Sequence, residues 1–123
     1  MIVATAQDAA RLFGPRLAEA DGETVAVAYL LDGQRFAALM IVAGSPETID
    51  LPMRRIFAEA LRLDAAALIL AHNHPSGDPR PSREDIEATR ILASIGDRLG
   101  IRLLDHLIFA GARTGSLRGL GLL

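Results

Sequence analysis

The spacing of apolar residues divides the chain into helical and extended segments. Residues 7–20 carry apolar side chains at helical intervals, which predicts a helix with a kink at Gly14-Pro15. Residues 24–31 and 35–43 are near-continuous apolar runs, and Asp32-Gly33 between them predicts a β-hairpin. We expect the turn-forming segment 44–46 to end the second strand of this hairpin.

The second half of the chain alternates helices with buried strands. Helical spacing predicts a helix from Pro52, as its first residue, to Leu63, and a short apolar run predicts a strand over residues 66–71. The polar, proline-rich segment 72–81 is predicted to be a loop, and residues 101–109 a last core strand. The helix between them should begin at Ser82, end at Gly100 and face the core with Ile86, Thr89, Leu92, Ile95 and Leu99. The glycine-rich tail shows no pattern that predicts an element.

This order of elements predicts an α/β fold in which helices flank one mixed sheet. The chain has 123 residues, half of them apolar, which is enough for one core. We therefore expect a single domain over residues 1–123.

Composition narrows the chemistry that is available. The chain has no cysteine, so disulfides and thiolate zinc sites are excluded, and any metal must be bound by histidine and carboxylate. With neither an export signal nor an apolar run of about 20 residues, the sequence predicts a cytoplasmic protein that does not enter a membrane. The net charge of −2 does not favour electrostatic DNA binding, although the arginines could still gather on one face.

Two histidines and an aspartate have spacing that suits a metal site. His72 and His74 are two residues apart after a predicted strand, so both imidazoles should leave an extended backbone on the same side. Asp85, in the first turn of the next helix, could complete a His₂Asp set with water in the fourth position. Two alternatives are open. Asp85 could complete a capping box with Ser82, and each histidine could be a hydrogen-bonded structural residue.

The same residues match a known motif. His72-x-His74, seven residues and then Ser82-x-x-Asp85 resemble the JAMM motif of MPN-type metalloproteases. The surrounding segments AHNHPSGDPRPSREDIEATR and LLDHLIF resemble the RadC family of bacterial JAB-domain proteins, and the resemblance covers nearly the whole chain.

The JAMM motif also includes a glutamate just before a core strand. The matching residue here is Glu23, which precedes the run TVAVAYLL. Glu47 is a weaker candidate. Glu59 is weaker still, because its helical spacing suits an exposed ion pair with Arg55 or Arg62.

This resemblance implies a JAB/MPN domain with the three-layer fold of cytidine deaminases and a zinc ion bound by His72, His74, Asp85 and water. It implies hydrolysis of a peptide or isopeptide amide, in which zinc lowers the pKa of its water. Glu23 would take the proton from that water and deliver it to the leaving amine, while Ser82 would stabilise the oxyanion. Neither the substrate nor the oligomeric state follows from the resemblance.

Polar residues around the motif carry expectations of their own. Asn73 and Ser76 should shape the loop through local hydrogen bonds to the backbone. Asp105 and His106 interrupt an otherwise apolar strand, so burial would require partners, either in plain structural pairing or in a hydrogen bond to a ligand histidine. If all 123 residues form the one domain, we expect no N-terminal helix-hairpin-helix region of the kind common in RadC proteins, and segment 44–57 differs from the usual family pattern.

A binding module that retains the metal without catalysis, associated with DNA or a repair complex, is the alternative function. Replacing Glu23 should abolish activity in a hydrolase and leave binding unchanged in such a module. Nucleobase deamination is excluded because zinc deaminases need a Pro-Cys-x-x-Cys segment. The metallo-β-lactamase pattern is not met either, since Ser76-Gly77 stands where that pattern has an Asp-His pair.

Overall fold

The computed structural model describes residues 1–18, 22–43 and 51–123. A short 3₁₀ turn, Asp32–Gln34, connects the first two strands. In chain order the helices and strands are α1 (Ala6–Ala18), β1 (Thr24–Leu31), β2 (Arg35–Ala43), α2 (Met53–Arg62), β3 (Ala67–Asn73), α3 (Arg83–Leu99), β4 (Arg102–Ala110) and β5 (Arg113–Ser116).

The strands form one mixed sheet with the order β2-β1-β3-β4-β5. β1 is antiparallel to both β2 and β3, β3 is parallel to β4, and β5 returns antiparallel to β4. The crossover from β3 through α3 to β4 accounts for the parallel pair, because parallel neighbours need a long connection. The predicted mixed α/β sheet is therefore confirmed.

Helices cover both faces of the sheet and give three layers. Successive residues of a strand point to opposite faces, so the central strands β1 and β3, which are buried on both sides, contribute to two cores. On one face α1 packs over a core that contains Val3, Ala9, Phe13, Leu17, Ala26, Ala28, Leu30, Ala67, Ile69, Ala71 and Leu107. On the other face α2 and α3 pack over a second core, which contains Val25, Val27, Tyr29, Ile56, Phe57, Ala60, Leu68, Leu70, Leu92 and Leu103.

Most predicted boundaries agree with the structure, and the differences lie next to the motif. β1 and β2 have the predicted bounds, and α3 lies between an N-cap at Ser82 and a left-handed C-cap at Gly100. β3 continues to Asn73, so His72 and Asn73 belong to the strand and not to the loop, which corrects the prediction. Pro52 is the N-cap of α2 rather than its first residue. The predictions for residues 19–20 and 44–47 lie outside the described residues.

A further correction concerns α3, and the structure shows a strand in the tail, for which no element was predicted. Leu99 was expected to face the core but is exposed, and Gly96 is buried instead. A Cβ on Gly96 would overlap the carbonyl oxygen of Ile101, so glycine permits close approach of the helix to the chain entering β4. The tail forms β5, which extends the sheet beside β4. None of the described helices is long and apolar enough to cross a bilayer.

Candidate metal centre

The predicted site residues meet at one end of the central strand pair. β1 and β3 are antiparallel with Val25 opposite His72, so the start of β1 lies beside the end of β3. This pairing brings Glu23, which immediately precedes β1, close to two histidines about fifty residues later in the chain. A carboxylate oxygen of Glu23 and one ring nitrogen each of His72 and His74 lie within 4.8 Å of one another.

Asp85 completes the cluster from the first turn of α3. The Nε2 atoms of His72 and His74 are 2.8 Å apart. Asp85 Oδ2 lies 3.2 Å from His74 Nε2 and 3.5 Å from His72 Nε2. The His72 side chain is fully buried and Asp85 nearly so, whereas His74 is 14% exposed, so the cluster reaches solvent on the His74 side.

The capping box at α3 and the cluster share the same carboxylate. Ser82 Oγ accepts a hydrogen bond from the Asp85 backbone N–H at 3.0 Å, and Asp85 Oδ2 accepts one from the Ser82 backbone N–H at 2.8 Å. The cap and the metal-site arrangement, which were alternatives for Asp85 in the sequence, therefore coexist. Burial acts to raise the pKa of Asp85, but the positive charge that a protonated His72 would place beside it and the hydrogen bond from the Ser82 N–H hold that pKa well below its usual range. Asp85 is accordingly an anion at neutral pH.

The loop after β3 orients His74 through its backbone. His74 Nδ1 lies 2.8 Å from the carbonyl oxygen of Asp78, which can only accept, so Nδ1 carries the proton and Nε2 has a lone pair in the neutral ring. The Asp78 carboxylate pairs with Arg80, and hydrogen bonds from Arg80 lower the pKa of Asp78 to about 2. Ser76 Oγ accepts from the Asp78 N–H at 3.4 Å, the local role that was expected of it. Behind the loop, a Cβ on Gly115 of β5 would overlap the Pro79 carbonyl oxygen.

Asn73 connects the end of β3 to the segment that carries Glu23. Its Oδ1 accepts a hydrogen bond of 2.7 Å from the Thr24 N–H, and its Nδ2 donates one of 2.9 Å to the Gly22 carbonyl. The two backbone partners flank Glu23. The expectation of local hydrogen bonds for Asn73 was therefore wrong, because its partners are Thr24, at the start of the neighbouring strand β1, and Gly22 just before it. The result is a fixed backbone on both sides of the glutamate.

Asp105 and His106 have different partners although they are neighbours in β4. Asp105 accepts hydrogen bonds from Ser116 Oγ at 2.5 Å and from the Arg118 N–H at 3.1 Å, which ties β4 to the β5 hairpin. His106 instead lies behind the cluster, with its Nε2 2.5 Å from His72 Nδ1. Its Nδ1 is 2.7 Å from Thr89 Oγ1. Burial, and the positive charge that a protonated His72 would place beside it, lower the pKa of His106 to about 3.

The sequence over residues 3–122 matches the RadC-like JAB domain family. The chain belongs to that family. Among similar proteins are a UPF0758 protein of Geobacter sulfurreducens, 46% identical over 99 residues, and one of Salinibacter ruber, 40% identical over 124 residues. A UPF0758 protein of Methanospirillum hungatei is 56% identical over 70 residues.

This RadC-like JAB domain spans about half the length of the curated relatives that it matches or less. The alignments cover 79%, 100% and 57% of this chain, and 43%, 53% and 31% of the Geobacter, Salinibacter and Methanospirillum proteins respectively. The name UPF0758 states no activity. The chemistry of the domain therefore has to be inferred from its own side chains.

The other carboxylates that the sequence offered are not part of the described cluster. Glu59 forms an ion pair with Arg62 on α2, at 2.5 Å, as its helical spacing suggested. Glu47 lies outside the described residues. Sequence reasoning placed Thr89 on the core face of α3 but gave its hydroxyl no role. The signal was present, because a threonine among Ile, Leu and Ala on a buried helix face needs a hydrogen-bond partner.

Proposed function

We propose that this RadC-like JAB domain is a zinc-dependent amide hydrolase of the JAMM type, with His72, His74 and Asp85 as the metal ligands. The observation that carries the proposal is the convergence of two histidine Nε2 atoms and one carboxylate oxygen at separations of 2.8, 3.2 and 3.5 Å. Tetrahedral zinc with bonds near 2.0–2.1 Å requires ligand atoms about 3.3 Å apart. The three separations bracket that value, and the donor set is one that zinc accepts.

The protonation of the cluster also favours a cation. The hydrogen bond to the Asp78 carbonyl leaves His74 Nε2 without a proton when the ring is neutral, and Asp85 is an anion. An unprotonated nitrogen that faces a buried carboxylate oxygen at 3.2 Å gains nothing from that neighbour unless a positive charge lies between them. A divalent ion bound by both groups would supply that charge.

Glu23 and Ser82 are assigned the remaining roles. A bound zinc ion would supply a Lewis acid and lower the pKa of a coordinated water. The Glu23 carboxylate, within 4.8 Å of the histidine nitrogens, is close enough to take a proton from a water beside them and to return it to a leaving amine. Ser82 Oγ already accepts from the Asp85 N–H, so its own hydrogen is available to donate to a developing oxyanion.

A substrate has access on the exposed side of His74. His74 and Ser82 line one open groove of about 420 Å³, together with Ser76, Asp78, Arg80 and Pro81. A second groove, of about 500 Å³, is also lined by His74, together with Asn73 and Gly22. A peptide or isopeptide that crosses both grooves would present its amide at the cluster, which supports this substrate class for the proposed enzyme.

Zinc stoichiometry tests the metal site. Tag-free protein is loaded with zinc, desalted and measured by elemental analysis, alongside His74→Ala and Asp85→Ala treated identically. We expect about one zinc per chain in the wild type and loss of zinc in both variants. A wild type that retains no zinc, or an Asp85→Ala variant that retains as much as the wild type, would contradict the proposal.

Glu23→Gln separates the hydrolase from a non-catalytic module. Zinc-loaded protein is incubated with peptide and isopeptide-linked substrates, and cleavage is followed by mass spectrometry. We expect the variant to keep its zinc and to lose activity by about 10²–10⁴-fold, the contribution of a positioned general base. Equal cleavage by Glu23→Gln would remove Glu23 from the mechanism. A zinc-loaded wild type that cleaves none of these amides would favour the alternative of a binding module.

A further inference from the structure

A chain of buried hydrogen bonds runs from α3 to the back of His72. Thr89 Oγ1 lies 2.6 Å from the Asp85 backbone carbonyl, which can only accept, so the Thr89 hydroxyl hydrogen is used there. The same oxygen is 2.7 Å from His106 Nδ1 and can now only accept from it. The proton of His106 is therefore on Nδ1.

The donor and acceptor roles in this chain of hydrogen bonds also determine the protonation of His72. His106 is 1% exposed, and no carboxylate is within hydrogen-bond distance of its ring among the described residues, so the ring is held neutral. Its Nε2 is then an acceptor, and the partner at 2.5 Å, His72 Nδ1, must donate. His72 consequently carries its proton on Nδ1 and presents the lone pair of Nε2 to His74 and Asp85.

We propose that His106 and Thr89 are positioning residues that fix His72 in the Nδ1–H tautomer and so keep its Nε2 free to bind the metal. The inference rests on the proposed function, since the lone pair is used only if the site binds a metal. Without an acceptor behind it, a neutral His72 could place its proton on either nitrogen, and a proton on Nε2 would block one ligand position.

The two histidines of the cluster are therefore controlled in different ways. The tautomer of His74 depends on the backbone carbonyl of Asp78, which no substitution removes. The tautomer of His72 depends on two side chains from other elements, because His106 on β4 contacts its Nδ1 and Thr89 on α3 contacts His106. Side-chain substitutions can thus change the protonation of one ligand while they leave the other as it is.

Zinc affinity in three variants tests the inference. His106→Leu removes the acceptor, and Thr89→Val removes the hydroxyl at nearly constant shape. His106→Gln retains an oxygen that can accept from His72 and an N–H that can reach Thr89. By competition with a chromogenic chelator at pH 7.5, we expect His106→Leu to weaken zinc binding by about 10–100-fold, as loss of a partner behind a ligand histidine does. His106→Gln should recover most of that loss, and Thr89→Val should fall between His106→Leu and the wild type.

Thr114→Val is the matched control. It is the same substitution as Thr89→Val, at an exposed position on β5, and should bind zinc as the wild type does. Thermal unfolding of each metal-free variant shows whether it folds. If His106→Leu does not fold, the comparison of Thr89→Val with Thr114→Val decides the question by itself.

The tautomer can also be measured directly in the metal-free protein. The chain has three histidines, so ¹H–¹⁵N correlation of the imidazole rings gives a spectrum that can be assigned. We expect wild-type His72 to be protonated on Nδ1, and the proton to redistribute towards Nε2 in His106→Leu, a change that loss of packing alone would not produce. Wild-type His72 protonated on Nε2, or unchanged zinc affinity in His106→Leu, overturns the inference. A wild type that binds no zinc refutes the proposed function instead, while the tautomer spectrum still decides the role of His106.

Discussion

The backbone N–H of Ser82 donates a 2.8 Å hydrogen bond to Oδ2 of Asp85, the same oxygen that faces both histidine Nε2 atoms. The helix cap therefore holds the carboxylate in the cluster. An N-cap residue ordinarily stabilises only its helix. Here the beginning of α3 and the position of the Asp85 carboxylate are set by one pair of hydrogen bonds.

Two substitutions at Ser82 separate these effects. Ser82→Ala removes the capping hydroxyl but keeps the backbone N–H, and should lower the free energy of unfolding by about 1 kcal/mol. Ser82→Pro also removes the N–H that binds Asp85, and the φ of −76° at this position is one that proline adopts. We expect zinc affinity to fall by about tenfold or more in Ser82→Pro and much less in Ser82→Ala. Equal zinc affinities, measured by chelator competition, would show that the backbone N–H does not orient the ligand.

Asn73 should affect catalysis without affecting metal retention. In Asn73→Ala the hydrogen bonds to Thr24 and Gly22 are lost, so the backbone on both sides of Glu23 is released. We expect zinc stoichiometry to be unchanged and turnover to fall by up to about 10²-fold, the cost of displacing a catalytic group by an ångström.

A readout that needs no substrate complements this prediction. Hydrogen exchange of the Thr24 amide should be faster in Asn73→Ala, because that amide donates to Asn73 Oδ1. Asn73→Asp keeps the acceptor and loses the donor, so it should retain the protection of Thr24. Unaltered exchange at Thr24 in Asn73→Ala would argue against the hydrogen bond across the sheet.

Gly115→Ala should disturb the motif loop from behind. The added Cβ would overlap the carbonyl oxygen of Pro79, a backbone atom that cannot rotate away. We expect a loss of about 1–3 kcal/mol in urea unfolding, as for other overpacked sites, together with weaker zinc binding because the adjacent Asp78 carbonyl orients His74. Thr114→Ala, at the exposed neighbouring position, serves as the control. Equal stability of the two variants would mean that the loop moves aside without cost.

Tyr29 gives a prediction of pH dependence that is independent of the metal centre. Its side chain is fully buried and its hydroxyl donates to the Ile56 carbonyl at 2.9 Å. Burial, with a smaller contribution from the charge of Glu59, raises the pKa of Tyr29 to about 12. Because the folded pKa exceeds the unfolded one, the associated stability is fully present below about pH 10 and is lost as the pH rises towards 12.

The ionisation of Tyr29 can be followed by absorbance without interference from other side chains. Tyr29 is the single tyrosine, and there is no tryptophan, cysteine or lysine, so tyrosinate absorbance at 295 nm reports Tyr29 alone. We expect ionisation near pH 12 in the folded protein, and a fall in the free energy of urea unfolding above pH 10 that is absent in Tyr29→Phe. Ionisation near pH 10 while the protein remains folded would contradict the buried environment.

Hydrophobic periodicity predicted most of the fold because the burial of the central strands and of α3 is visible in the apolar pattern of their own residues. The runs that became β1 and β2 are bounded by turn residues, and α3 has both a capping serine and a terminal glycine. β3 was predicted to end two residues too early, because polar His72 and Asn73 resemble a loop when their tertiary partners are unknown. The tail gave no signal, since β5 is four residues long, has no buried residue and depends on pairing with β4.

The cluster itself was predictable only in part. His72, His74 and Asp85 lie within one strand–loop–helix segment, so their spacing indicates a shared site. Glu23 has no such local relationship to them, and it was predicted as a site residue only from the resemblance to the JAMM motif. The roles of Asn73 and His106 depend on which strands are neighbours, and sheet order is set by tertiary packing and not by spacing in the sequence.

The antiparallel pairing of β1 with β3 also places the turn that follows β1 far from the cluster. The turn Asp32–Gln34 lies at the opposite end of β1 from Glu23, roughly 30 Å away at the usual rise per strand residue. Its residues are exposed, and Gly33 has the positive φ of a tight turn. Exposed turns of this kind accept inserted sequence readily. A fluorophore or affinity tag introduced after Gly33 would report on this domain in a cell or an assembly while the grooves beside His74 stay open.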